Sequence, residues 1–238
     1  MKKILNISFL LAIVSCGQNT GNIKASQLKD TASSTAYATQ NTAPSNTEKH
    51  QTFNETIDTL REVLKAFIPS GYSAINVSSG DANLDGLTDE ILVLRKNTEE
   101  STSNYADNKP DKRALLLLLG QSDGSFKPAL RNENAVYCID CGGAFGDPFT
   151  GTTIKDGYFS IEHGIAGGQH WEQVTTFKFD KSKGNWFLYK DHLISYKLNE
   201  SNDEDADALV KDTDKLETAK DFGIVPFDEF NIYSDRGH

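Results

Sequence analysis

The apolar positions of the chain first follow a helical spacing. Five apolar residues recur at intervals of three and four, which predicts an amphipathic helix whose apolar stripe packs on a core. They are Phe53, Ile57, Leu60, Leu64 and Phe67. Thr52 and Glu55 fit a capping box at the start of this helix, and Pro69 marks its end.

After the helix, the chain consists of short runs rich in β-branched and aromatic residues, which predict strands. The runs are residues 72–77, 90–96, 114–120, 158–164, 174–180, 185–191 and 193–198. Residues 114–120 are apolar almost throughout, as expected for a central strand buried on both faces, whereas residues 174–180 and 185–191 alternate. We therefore predict an α+β fold, mainly an antiparallel β sheet with one N-terminal helix packed on it. Residues 97–113 are interpreted as a polar loop.

The N-terminus has the pattern of an export signal. Lys2 and Lys3 precede an apolar run, residues 4–14, that is too short to span a bilayer. The sequence Ile-Val-Ser-Cys that ends at Cys16 resembles a bacterial lipobox. This resemblance implies cleavage before Cys16, lipidation of that residue and anchoring in the bacterial cell envelope. By resemblance to lipoprotein sorting rules, Gly17 after the cysteine favours the outer membrane. The alternatives are a plain secretory signal or a buried N-terminal helix.

Composition divides the rest of the chain. The predicted segments are a signal peptide (1–15), the lipidated cysteine with a disordered polar tether (16–50), a single β-rich globular domain (51–200) and an acidic, partly docked C-terminal extension (201–238). Within the extension, the acidic part is interpreted as a solvated loop. A short helix is expected before Gly223, and residues 224–233 are apolar enough to dock on the domain.

Charge limits the classes of partner. The chain has 24 basic and 34 acidic residues and a formal net charge of −10. Such a surface repels nucleic acids and anionic lipids, because the sequence has no basic patch to release counterions. We expect no nucleic-acid partner, and contact with the membrane only through the N-terminal lipid.

A calcium loop is predicted at residues 80–90, Gly-Asp-Ala-Asn-Leu-Asp-Gly-Leu-Thr-Asp-Glu. Oxygen donors alternate along it, and Gly86 permits the sharp bend that such loops need. The position where an EF-hand has a bidentate Glu is Leu92, and the flanks are strands. The loop instead resembles those of FG-GAP (integrin-like) repeats. That resemblance implies a structural Ca²⁺ ion held by Asp81, Asn83, Asp85, Leu87 (through its carbonyl) and Asp89. The alternative is an Asx-rich hairpin loop without a metal.

Cys138 and Cys141 form a C-x-x-C pair. Such a pair can be a disulfide, a redox pair, or half of a zinc site. The zinc site would need ligands from His163, His170 or Glu172. Two glycines follow Cys141 and break the helix that a thioredoxin-like pair would need. Because an exported protein enters an oxidising compartment, the disulfide is the favoured interpretation.

The segment after the cysteine pair is a possible ligand surface, because glycines allow a ligand or another backbone to approach closely. Its residues are Gly142, Gly143, Phe145, Gly146 and Asp147. The alternative is a tight connection in which Phe145 and Phe149 are core anchors.

The lipobox, tether, helix, calcium-type loop and Cys-Gly-Gly segment together resemble a group of uncharacterised bacterial lipoproteins. That group carries no known activity. The favoured hypothesis is a non-enzymatic accessory protein that binds an envelope protein or a glycan. One alternative is a hydrolase with a carboxylate/His site, Asp147, His163, His170 and Glu172. The less favoured alternative is a thiol oxidoreductase that uses Cys138 and Cys141.

Overall fold

Two antiparallel sheets form the described part of the protein. The computed structural model describes residues 62–167, 170–201 and 205–234. The predictions about the signal peptide, Cys16, the tether and most of the first helix concern residues 1–61 and lie outside the described residues. No helix among the described residues is long and apolar enough to cross a membrane.

The elements follow one another in a simple order. They are α1 (Glu62–Lys65), β1 (Tyr72–Gly80), β2 (Asp89–Lys96), α2 (Glu99–Thr102), β3 (Arg113–Gly120), β4 (Phe126–Val136), β5 (Phe149–Lys155), β6 (Tyr158–Ile165), β7 (Trp171–Asp180), β8 (Asn185–Leu198), β9 (Leu209–Thr218) and α3 (Ala219–Phe222). Short 3₁₀ helices cover Gly143–Phe145 and Phe227–Glu229.

Each sheet is a run of sequential antiparallel neighbours. Sheet I has the order β1-β2-β3-β4, and sheet II has the order β5-β6-β7-β8-β9. The prediction of a mainly antiparallel β protein is confirmed, but the strands form two sheets and not one. The alternation of residues along a strand says which face is buried, and it does not say where one sheet ends and the next begins.

The two sheets share one apolar core. Leu115 and Leu117 of β3 belong to it, together with Phe159 of β6 and Phe177 of β7. The alternate residues of β3, Leu116 and Leu118, lie in a second cluster on the other face of sheet I, together with Leu64 of α1. Burial of β3 on both faces, as the sequence predicted, is therefore confirmed.

The C-terminal segment completes the shared core. The ring of Phe227 packs edge-on against Phe159 and Phe177, with centroid distances of 5.2 and 5.0 Å. Phe230 is also buried. This segment lies in the region that the sequence predicted to dock.

Several sequence interpretations need correction. The acidic stretch is not a solvated loop at residues 209–218, because β9 pairs with β8 along its length. The short helix expected before Gly223 is only the four residues of α3. Residues 185–198 form one continuous strand rather than two. The polar loop at 97–113 contains α2 and the buried Glu99.

Candidate functional site

The predicted calcium loop connects β1 to β2, as expected, and backbone amides hold its first carboxylate. Gly80 and Asp89 form the last pair of the β1–β2 ladder. The Asp81 carboxylate accepts the backbone N–H of Asp85 at 3.2 Å and that of Gly86 at 2.9 Å. Gly86 has a φ of 84°, which an L side chain rarely adopts, so this turn requires glycine.

Asn83 and Asp85 complete the turn. The Asn83 carbonyl oxygen accepts the Asp85 backbone N–H at 3.0 Å, and the Asn83 amide donates to Asp85 Oδ2 at 2.8 Å. Asp85 Oδ1 accepts the Leu87 N–H at 2.8 Å. These contacts lie at the surface. The polar side chains that could bind a cation thus also define the curvature of the loop.

Asp89 has a different environment, because it is fully buried. Its two oxygens accept the backbone N–H groups of Ala82 at 2.8 Å and Gly120 at 3.0 Å. Burial raises the pKa of Asp89, and the nearby carboxylates of Asp85 and Asp81 add to this effect. Asp89 therefore lies beneath the loop and close to its other carboxylates.

The oxygen donors of this loop match the chemistry that Ca²⁺ requires. Each carboxylate oxygen that accepts one N–H keeps a free lone pair. Within the described ranges, however, no group of three His, Cys, Asp or Glu side chains is arranged to hold a metal ion. Calcium at this loop therefore stays a prediction.

The same loop touches sheet II. The backbone N–H of Gly157, in the β5–β6 turn, donates to the Asp81 carbonyl at 2.9 Å. The indole Nε1–H of Trp186 donates to the Ala82 carbonyl at 2.8 Å. Because Asp89 ties the loop to β3, the loop links the two sheets.

The second candidate region begins with a disulfide between Cys138 and Cys141. Cys138 is fully buried. The bonded sulfurs do not serve as thiolate ligands of zinc, and burial of Cys138 limits access to the bond. The following glycines make a tight turn, since a Cβ on Gly142 would lie 2.2 Å from the Gly146 carbonyl oxygen.

Phe145 and Asp147, two residues of the predicted ligand surface, have different environments. Phe145 is 51% exposed and is not a core anchor, whereas Phe149 is buried. Asp147 makes a bidentate pair with Arg113, with N–O distances of 2.8 and 2.7 Å. Asp147 is thus committed to a salt bridge.

Arg113 is the centre of a buried charge cluster. It bonds on its other side to Glu99 at 3.1 and 2.7 Å, and the side chains of both are 1% exposed. Burial opposes the charge on Arg113, but the hydrogen bonds to Asp147 and Glu99 outweigh it and raise the guanidinium pKa. The cluster holds α2 and the Gly-rich segment against the start of β3.

His163 lies next to this cluster as a neutral ring. Its Nε2 accepts the Tyr137 backbone N–H at 3.2 Å, and no described residue bonds to the buried Nδ1. The ring packs edge-on against Tyr137 and Phe149. Burial, followed by the positive charge of Arg113, lowers the pKa of His163 to about 3.

The four residues of the hydrolase hypothesis do not meet in one cleft. His163 pairs with Gln173 across the β6–β7 ladder, on the buried face of sheet II. Glu172 precedes Gln173 and therefore lies on the other face, where it bonds to His170 at 3.0 Å. Asp147 is paired with Arg113 instead.

Sequence reasoning missed Glu99 and Arg113. One signal was available, because Arg113 directly precedes the apolar run at 114–120, and a charge at the start of a fully buried strand needs a buried partner. Nothing local in the sequence indicates that Glu99 and Asp147 are the partners.

Comparisons with protein-family models, with curated proteins and with solved structures find no match.

Proposed function

We propose that this protein is a lipid-anchored component of the bacterial cell envelope whose β domain is stabilised by calcium and binds an envelope protein or a glycan, without catalysis of its own. One observation carries this proposal: the loop at residues 80–89 contacts both sheets through Asp89, Asp81 and Ala82. A cation that orders this loop would stabilise the packing of the whole domain.

Electrostatics supports a cation at this position. Asp81, Asp85 and Asp89 are close enough that the first two raise the pKa of the third, after burial. A divalent cation would relieve that repulsion, and the compartment outside the cytoplasm supplies millimolar calcium to sites of modest affinity. In this proposal, Asp81, Asn83, Asp85, the Leu87 carbonyl and Asp89 hold the ion, which has a structural role.

Thermal unfolding of the purified protein with calcium, with magnesium and with a chelator tests the metal site. Binding to the native state alone stabilises by about 2.7 kcal/mol at a hundredfold excess of ligand over the dissociation constant. Calcium should therefore raise Tm. Asp85→Asn should abolish the shift, although the new amide oxygen can still accept the Leu87 N–H.

Asp123→Asn is the matched control, because Asp123 is an exposed carboxylate that accepts the Ser125 N–H in another hairpin turn. It should leave the calcium shift unchanged. If millimolar calcium does not raise Tm, or if both variants respond alike, the loop is an ordinary Asx-rich hairpin.

The anchor is proposed from the lipobox resemblance at Cys16. Several acyl chains at one residue give stable membrane attachment, whereas a single chain is marginal. Metabolic labelling with an alkyne fatty acid should mark the wild-type protein and not Cys16→Ser. Fractionation of the labelled cells should place the protein in the outer membrane, and recovery in the inner membrane would contradict that part of the proposal.

We also propose that the helix predicted from residue 53 packs on sheet I. Leu64 of α1 is 1% exposed and packs with Leu92 and Leu94 of β2. At helical spacing, Ile57 and Leu60 lie on the same side of the helix as Leu64. Leu60→Asp should therefore lower Tm, and Glu62→Lys, at the exposed Glu62, should not.

A further inference from the structure

The geometry points to a ligand site on the outer face of sheet II: we infer that two grooves meeting at Tyr189 bind an acidic polysaccharide strand. This inference deepens the proposed function, since it names the partner, and it rests on the proposal that the domain is a binding module. It depends on neither the lipid anchor nor calcium.

The two grooves lie side by side. The first has a volume of about 510 Å³ and runs across β5, β6, β7 and β8, with Thr153, Tyr158, Val174 and Lys190 among its lining residues. The second has a volume of about 380 Å³ and lies between the β7–β8 turn and the residues that follow α3, with Phe187 and Ile224 in its lining. Tyr189 lines both grooves. An extended chain could therefore lie along both grooves and pass Tyr189.

The charge of this surface is opposite to that of the whole chain. Five lysines and two aspartates line the grooves, although acidic residues outnumber basic ones by 34 to 24 in the chain. The lysines are Lys155, Lys178, Lys181, Lys183 and Lys190, and the aspartates are Asp156 and Asp180. This excess of lysine attracts an anionic ligand, and the surrounding acidic surface restricts that ligand to the grooves.

Most of these lysines are available to a ligand. Lys183 lies 3.7 Å from Asp180. For the other four lysines, no carboxylate among the described residues lies within ion-pair distance. Lys178 lies over the rings of Tyr158 and Tyr189, 5.4 and 5.6 Å from their centroids. The ammonium group of Lys178 is therefore held beside aromatic rings, with no carboxylate among the described residues at ion-pair distance.

The aromatic rings favour a sugar over a simple anion. Tyr189 is 46% exposed, and its ring meets Tyr158 edge-on at 5.4 Å. The face of an aromatic ring is electron-rich and attracts the C–H groups of a pyranose. Thr176 adds a hydroxyl to the lining of the first groove, and the Thr153 hydroxyl there donates to Glu162 at 3.0 Å. Aromatic faces, hydroxyls and lysines together match a sugar chain that bears carboxylate or phosphate groups.

Shape and total charge distinguish this ligand from other polyanions. A bilayer is flat and would leave the two grooves unfilled, whereas a single extended strand would be narrow enough to enter them. A nucleic acid extends well beyond the grooves and would meet the acidic remainder of a chain whose net charge is −10. The observations therefore favour an acidic glycan.

The test is calorimetric titration of the full-length protein with hexagalacturonate, beside a neutral cellohexaose and vesicles that contain phosphatidylglycerol. Hexagalacturonate should bind with an affinity that falls as salt is added. Lys181→Gln with Lys190→Gln should weaken binding by about tenfold, and Tyr189→Ala by a similar factor. The matched control is Lys109→Gln with Lys127→Gln, which removes two exposed lysines away from the grooves and should change affinity less than twofold.

Three results would overturn the inference: no binding of hexagalacturonate, equal binding of cellohexaose, or binding to vesicles alone. Thermal unfolding separates this failure from failure of the proposed function. If calcium raises Tm but hexagalacturonate does not bind, the groove proposal fails and the calcium proposal stands. If hexagalacturonate binds but calcium does not change Tm, the groove proposal stands and the proposal of a structural calcium ion fails.

Discussion

Asp89 and Gly120 join the loop at residues 80–89 to the end of β3, because one carboxylate oxygen accepts the Gly120 N–H at 3.0 Å while the other accepts that of Ala82 at 2.8 Å. Asp89→Ala leaves both amides without their acceptor in a buried position. We expect the free energy of unfolding to fall by about 2–4 kcal/mol in urea titrations. Asp123→Ala, in an exposed turn, should cost much less, and equal losses would show that Asp89 has no special role.

Replacing Arg113 alone should destabilise the protein more than replacing Arg113 together with its buried partner Glu99. Arg113→Met removes both hydrogen bonds to the buried Glu99 carboxylate and leaves it only the partly exposed Arg95, at 3.6 Å, which should cost at most about 3–5 kcal/mol of unfolding free energy. Adding Glu99→Leu should recover much of that loss, since Asp147, the remaining partner, is 38% exposed in its side chain and can be hydrated.

The exposed pair of Arg131 and Glu133, at 2.9 Å, provides the control for Arg113. Arg131→Met should cost less than about 1 kcal/mol. A double variant at Glu99 and Arg113 that is no more stable than Arg113→Met alone would contradict the argument.

His163 should make the protein less stable in mild acid. Its pKa is about 3 in the folded state against an ordinary value of 6.5, so only the unfolded state binds a proton between those two values. The stability that the neutral His163 ring contributes is fully present above about pH 6.5. As the pH falls below that value, the free energy of unfolding decreases by at most about 1.4 kcal/mol per pH unit.

His163→Gln removes this titration while an amide oxygen can still accept the Tyr137 N–H. The difference in unfolding free energy between wild type and variant should be constant above pH 7 and shrink below it. His192→Gln, at the partly exposed histidine that bonds to Asp214, is the control. A pH-independent difference for His163→Gln would refute the prediction.

Gly157 should resist substitution more than an open turn glycine does. A Cβ at Gly157 would lie 2.9 Å from Leu84 Cγ, and its φ is 79°. Gly157→Ala should therefore cost about 1–2 kcal/mol. Gly184→Ala has a similar φ of 62° and no atom near its Cβ, so it should cost less.

The Leu84→Ala background tests the cause of this cost. Removing the Leu84 side chain should bring the cost of Gly157→Ala down to that of Gly184→Ala, as measured by thermal unfolding. An unchanged difference would mean that the contact between the loop and the β5–β6 turn has no part in the effect.

The strongest sequence patterns predicted local structure correctly. The run at 114–120 was expected to be buried on both faces and is, because apolar residues at consecutive positions of a strand require cover on both sides. The loop at residues 80–90 was expected to join two strands, and it does. Both features depend on short-range patterns that neighbouring residues specify.

The features that were missed depend on distant residues. β9 contains a charged run at residues 211–215, part of which was interpreted as a solvated loop, yet it pairs with β8 along its length. β4 contains Pro128, which an edge strand tolerates, and β4 lies at the edge of sheet I. Only the tertiary structure supplies these pairings.

Net charge was an incomplete guide to the surface. The lysines of the two grooves are spread over residues 155–190, and the antiparallel order of β5 to β8 brings them together. An overall value of −10 therefore conceals a local excess of positive charge. The acidic composition was taken to mean that no basic patch exists, but composition does not show which lysines the fold brings together.

The position of Phe227 and Phe230 in the core has a consequence for how a newly made chain folds. The Asn132 side-chain amide donates to the carbonyl oxygens of both residues, which lie 95 and 98 positions later. Until residues 227–230 have been made, Phe159 and Phe177 lack the rings that cover them in the native protein. Packing of this core is therefore complete only when residues 227–230 are in place, and a chain that lacks them leaves aromatic surface exposed.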